Sequence, residues 1–213
     1  MNMVFSNEDI ETILEATVLR QGKALHDLFY SLDRTTFFRA VEYLRQSEYI
    51  FTLGVGKSGH IAGKIADTLC SIGSPAFFLS AEQLLHGGMS VLHRDALCLL
   101  LISKSGETQE LLDIVNAIEY NSISKILISG RENSPLAKLS DVSIIYTCDE
   151  CCGQNFLPTT STTISLAIGD ALAVALMKEN NLTVKQFAQY HPGGSLGVRL
   201  RENIGKREFP NGS

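Results

Sequence analysis

The amino end of this 213-residue chain lacks the basic start and apolar run of an export signal; Glu8, Asp9 and Glu11 stand there instead. No uninterrupted apolar stretch reaches the length that spans a bilayer. An excess of basic charge is also missing. The net charge is −5 with both signs spread along the chain, which speaks against a nucleic-acid surface. With those classes set aside, the expected location is cytoplasmic, with no membrane or nucleic-acid partner. The cysteines do not come in an even number: Cys70, Cys98, Cys148, Cys151 and Cys152 are expected as free thiols. Cys148-x-x-Cys151-Cys152 has the look of a metal or redox motif, but a zinc site wants a second Cys or His pair at matching spacing, and none is evident. No linker, repeat or low-complexity tract interrupts the chain. Residues 1–213 therefore read as one domain, with an N-terminal helix over 8–30, a core over about 35–200 and a short tail over 201–213.

What is present suits a substantial core, at 45% hydrophobic and 19% charged. Three-and-four spacing predicts helices over 8–30, with Ile10, Ile13, Leu14, Val18, Leu25 and Phe29 near one face, and over 35–47, with Phe38, Val41 and Leu44 along a stripe. Apolar runs at 49–53, 75–79, 97–102, 125–129 and 142–146 read as strands, and Leu97–Ile102 is unbroken, as a central parallel strand covered on both faces should be. Helices are expected between them, over 57–72, 107–120 and briefly at 134–138, with a loop or short helix around 82–89. The alternation predicts a doubly wound parallel sheet. The segment 159–176 is nearly all small or apolar and is expected to be buried all round, either inside the domain or in a subunit interface, where Asp170 is costly unless paired. A short helix over 184–189 and His191-Pro192-Gly193-Gly194 close the pattern.

Two strand-to-helix junctions carry the chemistry. In Gly54-Val55-Gly56-Lys57-Ser58-Gly59, glycines let backbone N–H groups approach a ligand, and the helix start adds positive potential. A nucleotide P-loop needs a glycine where Phe51 stands, so that reading fails. The dinucleotide pattern G-x-G-x-x-G is satisfied, but its acidic ribose ligand should end the second strand, where Ser80 sits and Glu82 comes late. A sugar phosphate or similar small anion remains. A glycine turn that merely connects strand to helix does not account for Lys57, because a cation at a helix N-terminus is unfavourable unless an anion offsets it. The second junction is Ser103-Lys104-Ser105-Gly106-Glu107-Thr108-Gln109-Glu110. Its hydroxyls and first-turn N–H groups make either a phosphate cradle without a strong cation or a plain capped helix start. Two such loops at neighbouring carboxyl ends favour one ligand crevice.

These two motifs, followed in order by Pro158-Thr159-Thr160-Ser161, Gly169-Asp170-Ala171-Leu172-Ala173 and His191-Pro192-Gly193-Gly194, resemble the sugar isomerase (SIS) domain of the arabinose-5-phosphate isomerases. The likeness runs from about Leu19 to Arg199. It implies a flavodoxin-like three-layer α/β/α sandwich with a five-stranded parallel sheet, assembled as a homotetramer with sites at subunit interfaces. It implies interconversion of D-ribulose 5-phosphate and D-arabinose 5-phosphate, on the way to the acidic sugar Kdo of lipopolysaccharide or capsule, with no metal and no organic cofactor. Many members carry a pair of cystathionine-β-synthase domains after this one; the resemblance here is to the form without them.

The family's charged site residues fall on Lys57, Glu110, Glu150 and His191, with His86 nearby. Glu110 is in line with Ile114 and Ala117, so it borders the apolar side of its helix. Glu150 lies in an irregular stretch, where a loop glutamate is the default. His191 is followed by a Pro-Gly-Gly segment that fixes the backbone, and His86 alone reads as a loop histidine. The reaction moves a proton between C1 and C2 through an enediolate, which needs a base, an acid and a stabilising cation. The expectation gives Lys57 the enediolate, Glu150 or Glu110 the proton transfer, and His191 of a neighbouring subunit the second acid–base role. The phosphate is placed on Ser103, Ser105 and Thr108, with Gly56 and Ser58 close. The chain departs from the family pattern in having Ser80-Ala81-Glu82-Gln83 for His-Pro-Ala-Glu, and His86-Gly87-Gly88 for His-Gly-Asp. Sugar preference and any inhibitory metal binding at that loop are left open. So are another phosphosugar isomerase and a non-catalytic module that senses a phosphosugar or CMP-Kdo.

Overall fold

Ser6 opens the first helix with a capping box, its hydroxyl accepting from the Asp9 N–H while the Asp9 carboxylate takes the Ser6 N–H. The computed structural model describes residues 6–93, 95–118, 123–151 and 156–193, together with 197 and 199. The elements are α1 (Asn7–Leu14), α2 (Arg20–Ser31), α3 (Arg34–Gln46), β1 (Tyr49–Gly54), α4 (Lys57–Ser71), β2 (Ala76–Phe78), α5 (Ala81–Leu85), β3 (Leu97–Ile102), α6 (Gln109–Ala117), β4 (Ser124–Ser129), α7 (Pro135–Leu139), β5 (Val142–Ile145), α8 (Thr160–Glu179) and α9 (Val184–Tyr190). A π-helical turn, Glu15–Leu19, joins α1 to α2. The expected tail over 201–213 lies outside the described residues, as do Cys152 and Gly194.

All five strands are parallel, in the order β2-β1-β3-β4-β5. Strand alternation divides the core into two faces. Ile50, Cys98, Leu100, Ile102, Ile126 and Ile144 pack beneath α3, α4 and α8, whereas Phe51, Leu53, Leu99, Leu101 and Leu127 pack beneath α5, α6 and α7. The three-layer sandwich is therefore as expected, and β3 is buried along its whole length.

The structure shows what covers each apolar face. Along 8–30, Ala24, Leu25 and Leu28 pack on the core, where α2 crosses α8, while Ile10, Ile13, Leu14, Val18 and Phe29 are exposed. Phe38 is exposed too, because the inward face of α3 runs through Ala40, Val41 and Leu44. Within one chain, helix α8 is buried along one face. Ile164, Ile168, Leu172 and Leu176 face the core, while Val174 is exposed and Asp170 is half-exposed and paired with Lys64. By length and mean hydropathy alone α8 could cross a bilayer, although polar residues and Asp170 interrupt it; here it packs against α2, α3 and α4.

Candidate active site

In this strand order the chain leaves β1 towards one edge and leaves β3 towards the other. The carboxyl ends of β1 and β3 thus form the topological switch point, where open α/β sheets bind ligands. Both sequence motifs arrive there, because Gly54 pairs with Ile102 in register. Gly54 has no room for a side chain: a Cβ would lie 2.6 Å from the Ser58 carbonyl, so the first turn of α4 folds directly over the strand end. Gly56 turns the chain with φ of 59°, and exposed Lys57 is the first residue of α4.

The β3 loop is pinned from three sides. The Ser103 hydroxyl accepts from the Gly106 N–H at 3.1 Å and shares a 2.8 Å hydrogen bond with the Thr108 hydroxyl. The Ser105 hydroxyl accepts from the Glu107 N–H at 3.2 Å. Backbone N–H groups of Gly130 and Leu136 donate to the carbonyls of Lys104 and Gly106, each at 3.0 Å. The structure bears on the two readings left open for this loop. Helix α6 starts at Gln109, two residues later than expected, and the Thr108 side chain does not cap it, being turned to Ser103 instead. A plain side-chain cap is therefore not what this loop provides, and the first-turn N–H groups of α6 carry no side-chain cap.

Gly106 is the weak point of this loop. Its φ is 63°, and a Cβ would collide with the Ser134 hydroxyl. Gly106→Ala is expected to cost about 1–3 kcal/mol of stability. Urea unfolding measures that, and calorimetry with inorganic phosphate should show weakened binding. An unchanged midpoint and affinity would mean that the loop geometry is not required.

Glu150 is no ordinary loop glutamate. Its side chain is fully buried beside the start of α8, where it accepts from the Thr159 and Ser161 N–H groups at 2.8 and 3.2 Å, from both their hydroxyls, and from the Lys104 ammonium at 2.6 Å. Burial pushes its carboxyl up, but Lys104, the Ser161 hydroxyl and the two N–H groups outweigh burial and hold the pKa at about 2. A carboxylate so well satisfied is a weak proton acceptor at neutral pH. The geometry therefore suits Glu150 to anchoring, and it argues against the proton-transfer role offered for it from sequence.

The β1–α4 turn separates two clefts. One, of about 140 Å³, is lined by Lys57, Ser58, Lys104, Tyr146, Ser161 and Thr162. The other, of about 530 Å³, is lined by Gly56, His60, Phe78, Glu82, His86 and Glu110. Glu110 and His86 both line this larger cleft and are exposed, so Glu110 is not held against the apolar side of its helix as expected. Val55 lines both clefts, so a ligand laid across the turn could touch both.

His191 is not brought to either cleft within one chain. Its Nδ1 is 2.8 Å from the Phe187 carbonyl, and its ring stacks on Phe187. Its neighbour Tyr190 lies against Gly73, in the turn leading into the amino end of β2, opposite the switch point. Cys148 and Cys151 are free thiols, and burial, with Glu150 nearby, pushes the Cys148 thiol up to about 11. Among the described residues no cluster of three or more His, Cys, Asp or Glu is arranged to hold a metal. Sequence reasoning missed Lys104, Thr159 and Ser161 as site residues. The hydroxyl run after Pro158 was the available signal for the last two, since such residues gather at helix starts.

The SIS domain family model matches residues 43–175. The chain is 39% identical over 195 residues to arabinose 5-phosphate isomerase KpsF of Escherichia coli O6:H1, covering 91% of this chain and 59% of that protein. It is 41% identical over 166 residues to arabinose 5-phosphate isomerase KdsD of Pseudomonas aeruginosa, covering 77% of this chain and 51% of that one. It thus spans between half and three fifths of these relatives. Among solved structures, an Escherichia coli CFT073 protein in complex with arabinose 5-phosphate superposes with a TM-score of 0.82 at 29% identity, covering 88% of this chain and all of that one.

Proposed function

The chain belongs to the SIS domain family, and from that premise we propose that it is an aldose–ketose isomerase interconverting D-ribulose 5-phosphate and D-arabinose 5-phosphate. The observation that carries the proposal is the switch point itself, where a cationic helix start at Lys57 stands beside the hydroxyl-rich β3 loop. The likeness to named arabinose 5-phosphate isomerases supports the same substrate. The phosphate rests on Ser103, Ser105, Thr108 and the first-turn N–H groups of α6, with Ser58 and the Gly56 turn alongside. The sugar lies across the turn. Glu110, exposed in the larger cleft, removes the C1 proton, exchanges it with solvent and protonates C2. Lys57 stabilises the enediolate oxygen, and His86 contacts the sugar hydroxyls. Glu150 holds the wall of the smaller cleft.

His191 completes the site from a neighbouring subunit of a homotetramer, which fits its position at the opposite end of its own sheet. The exposed apolar residues of α1 and α2 would be covered in that assembly. The protein acts in the cytoplasm, and its product feeds Kdo synthesis for lipopolysaccharide or capsule.

Incubating the protein with ribulose 5-phosphate and a panel of hexulose and heptulose phosphates, and following aldose formation, tests the activity. Preferred conversion of ribulose 5-phosphate is expected; binding without turnover would make the protein a phosphosugar sensor instead. The shared site has its own test. Lys57→Met and His191→Ala should each retain at most about 1% of turnover alone, but reassembling the two together should restore about a quarter of the sites, those pairing intact halves from different subunits. A mixture as inactive as its parents would place His191 outside the partner's site.

A further inference from the structure

Lys104 has no part in the chemistry assigned so far. It lies between the two serines of the β3 loop, and its side chain reaches Glu150 beside the start of α8. Its main chain is fixed, the carbonyl accepting from the Gly130 N–H at 3.0 Å and the Ser129 hydroxyl at 3.4 Å. Its ammonium donates to Glu150 and lines the 140 Å³ cleft together with Lys57 and Ser161.

Glu150 also accepts from two N–H groups and two hydroxyls at the start of α8, so Lys104 shares the stabilisation of its charge with four other donors. The pair is also lopsided: the Glu150 side chain is fully buried, while that of Lys104 is 37% exposed at the cleft wall. An ammonium has three donors, and one is directed to Glu150. Two lysines face one carboxylate around this cleft, leaving it net positive for a ligand whose phosphate carries close to two negative charges.

We propose that Lys104 is a second substrate-binding cation of this site, braced by Glu150 so that its remaining N–H groups meet the phosphate of the phosphosugar held by the β3 loop. The cradle that looked uncharged in sequence thereby carries its own cation. The inference rests on the isomerase reading only for the identity of the ligand.

The test is Lys104→Met beside Lys104→Arg, with Lys138→Met on α7 as a charge control, each checked for folding by urea unfolding. Loss of one charge-assisted hydrogen bond predicts a rise of about 10- to 100-fold in KM for ribulose 5-phosphate, with kcat held within a few-fold. The Kd for inorganic phosphate, read by calorimetry, should rise in parallel in Lys104→Met, recover in large part in Lys104→Arg, and stay unchanged in Lys138→Met. An unaltered phosphate Kd, or a fall in kcat at constant KM, would overturn the proposal. If the protein proves not to turn over any ketose phosphate, calorimetry with phosphate and with ribulose 5-phosphate still decides the role of Lys104, so the two readings fail separately.

Discussion

Replacing Lys57 by methionine should lower kcat for ketose-to-aldose conversion by about 10²- to 10³-fold, the loss typical of removing one group aimed at a developing oxyanion. The same change should leave the melting temperature equal or slightly higher. Lys57 is exposed at the first position of α4, where a cation opposes the helix dipole, so the apo fold gains nothing from it. Activity and stability therefore move in opposite directions, as happens where a residue is kept for a ligand. Steady-state kinetics beside a thermal melt make the check. A variant that loses activity and melts clearly lower would mark Lys57 as a structural residue; one that keeps full kcat would take it out of the reaction.

Glu150→Gln should cost about 3 kcal/mol at neutral pH, the equivalent of a carboxyl pKa near 2 in the folded chain against the ordinary 4.5. The amide would set its own N–H groups against the donors of Thr159 and Ser161 and leave Lys104 without a counter-ion. For a domain of this size that corresponds to a fall of roughly 6–12 °C in Tm. Because the folded pKa is depressed, the carboxylate's contribution is complete above about pH 4.5 and fades as pH falls towards 2. The stability gap between wild type and variant should therefore close over that window. Denaturant unfolding at neutral pH and at two points down to the folded pKa measures it. A gap that stays constant with pH would show that Glu150 does not act through its charge.

The fold was legible because its signals are local. An unbroken Leu97–Ile102 and the glycine junctions at 54–59 and 103–108 each announce a strand passing into a helix, and five such strands leave few topologies open. The N-terminal helix was placed well in sequence, but its burial was not legible there, since periodicity tells which residues share a face and not what covers it. The site was legible as far as its backbone. Lys57 and the serines are set by their loops, whereas the surroundings of Glu150 depend on residues 104, 159 and 161, which meet only after β3, β5 and α8 are assembled. For the same reason the sequence offered Glu150 and Glu110 as equivalent bases, and burial among donors separates them. His191 shows the remaining limit: it is grouped with Lys57 and Glu110 in sequence, and the fold of one chain does not bring it to either cleft.

The central claim is that this crevice moves a proton between C1 and C2 of a pentulose phosphate. Running the reaction with ribulose 5-phosphate in D₂O and reading the product by NMR tests it directly. Glu110 is exposed to solvent, so its proton exchanges during turnover. The predicted product is arabinose 5-phosphate carrying solvent deuterium at C2. Recovery of unlabelled ribulose 5-phosphate alone, or arabinose 5-phosphate free of solvent deuterium, would contradict the account.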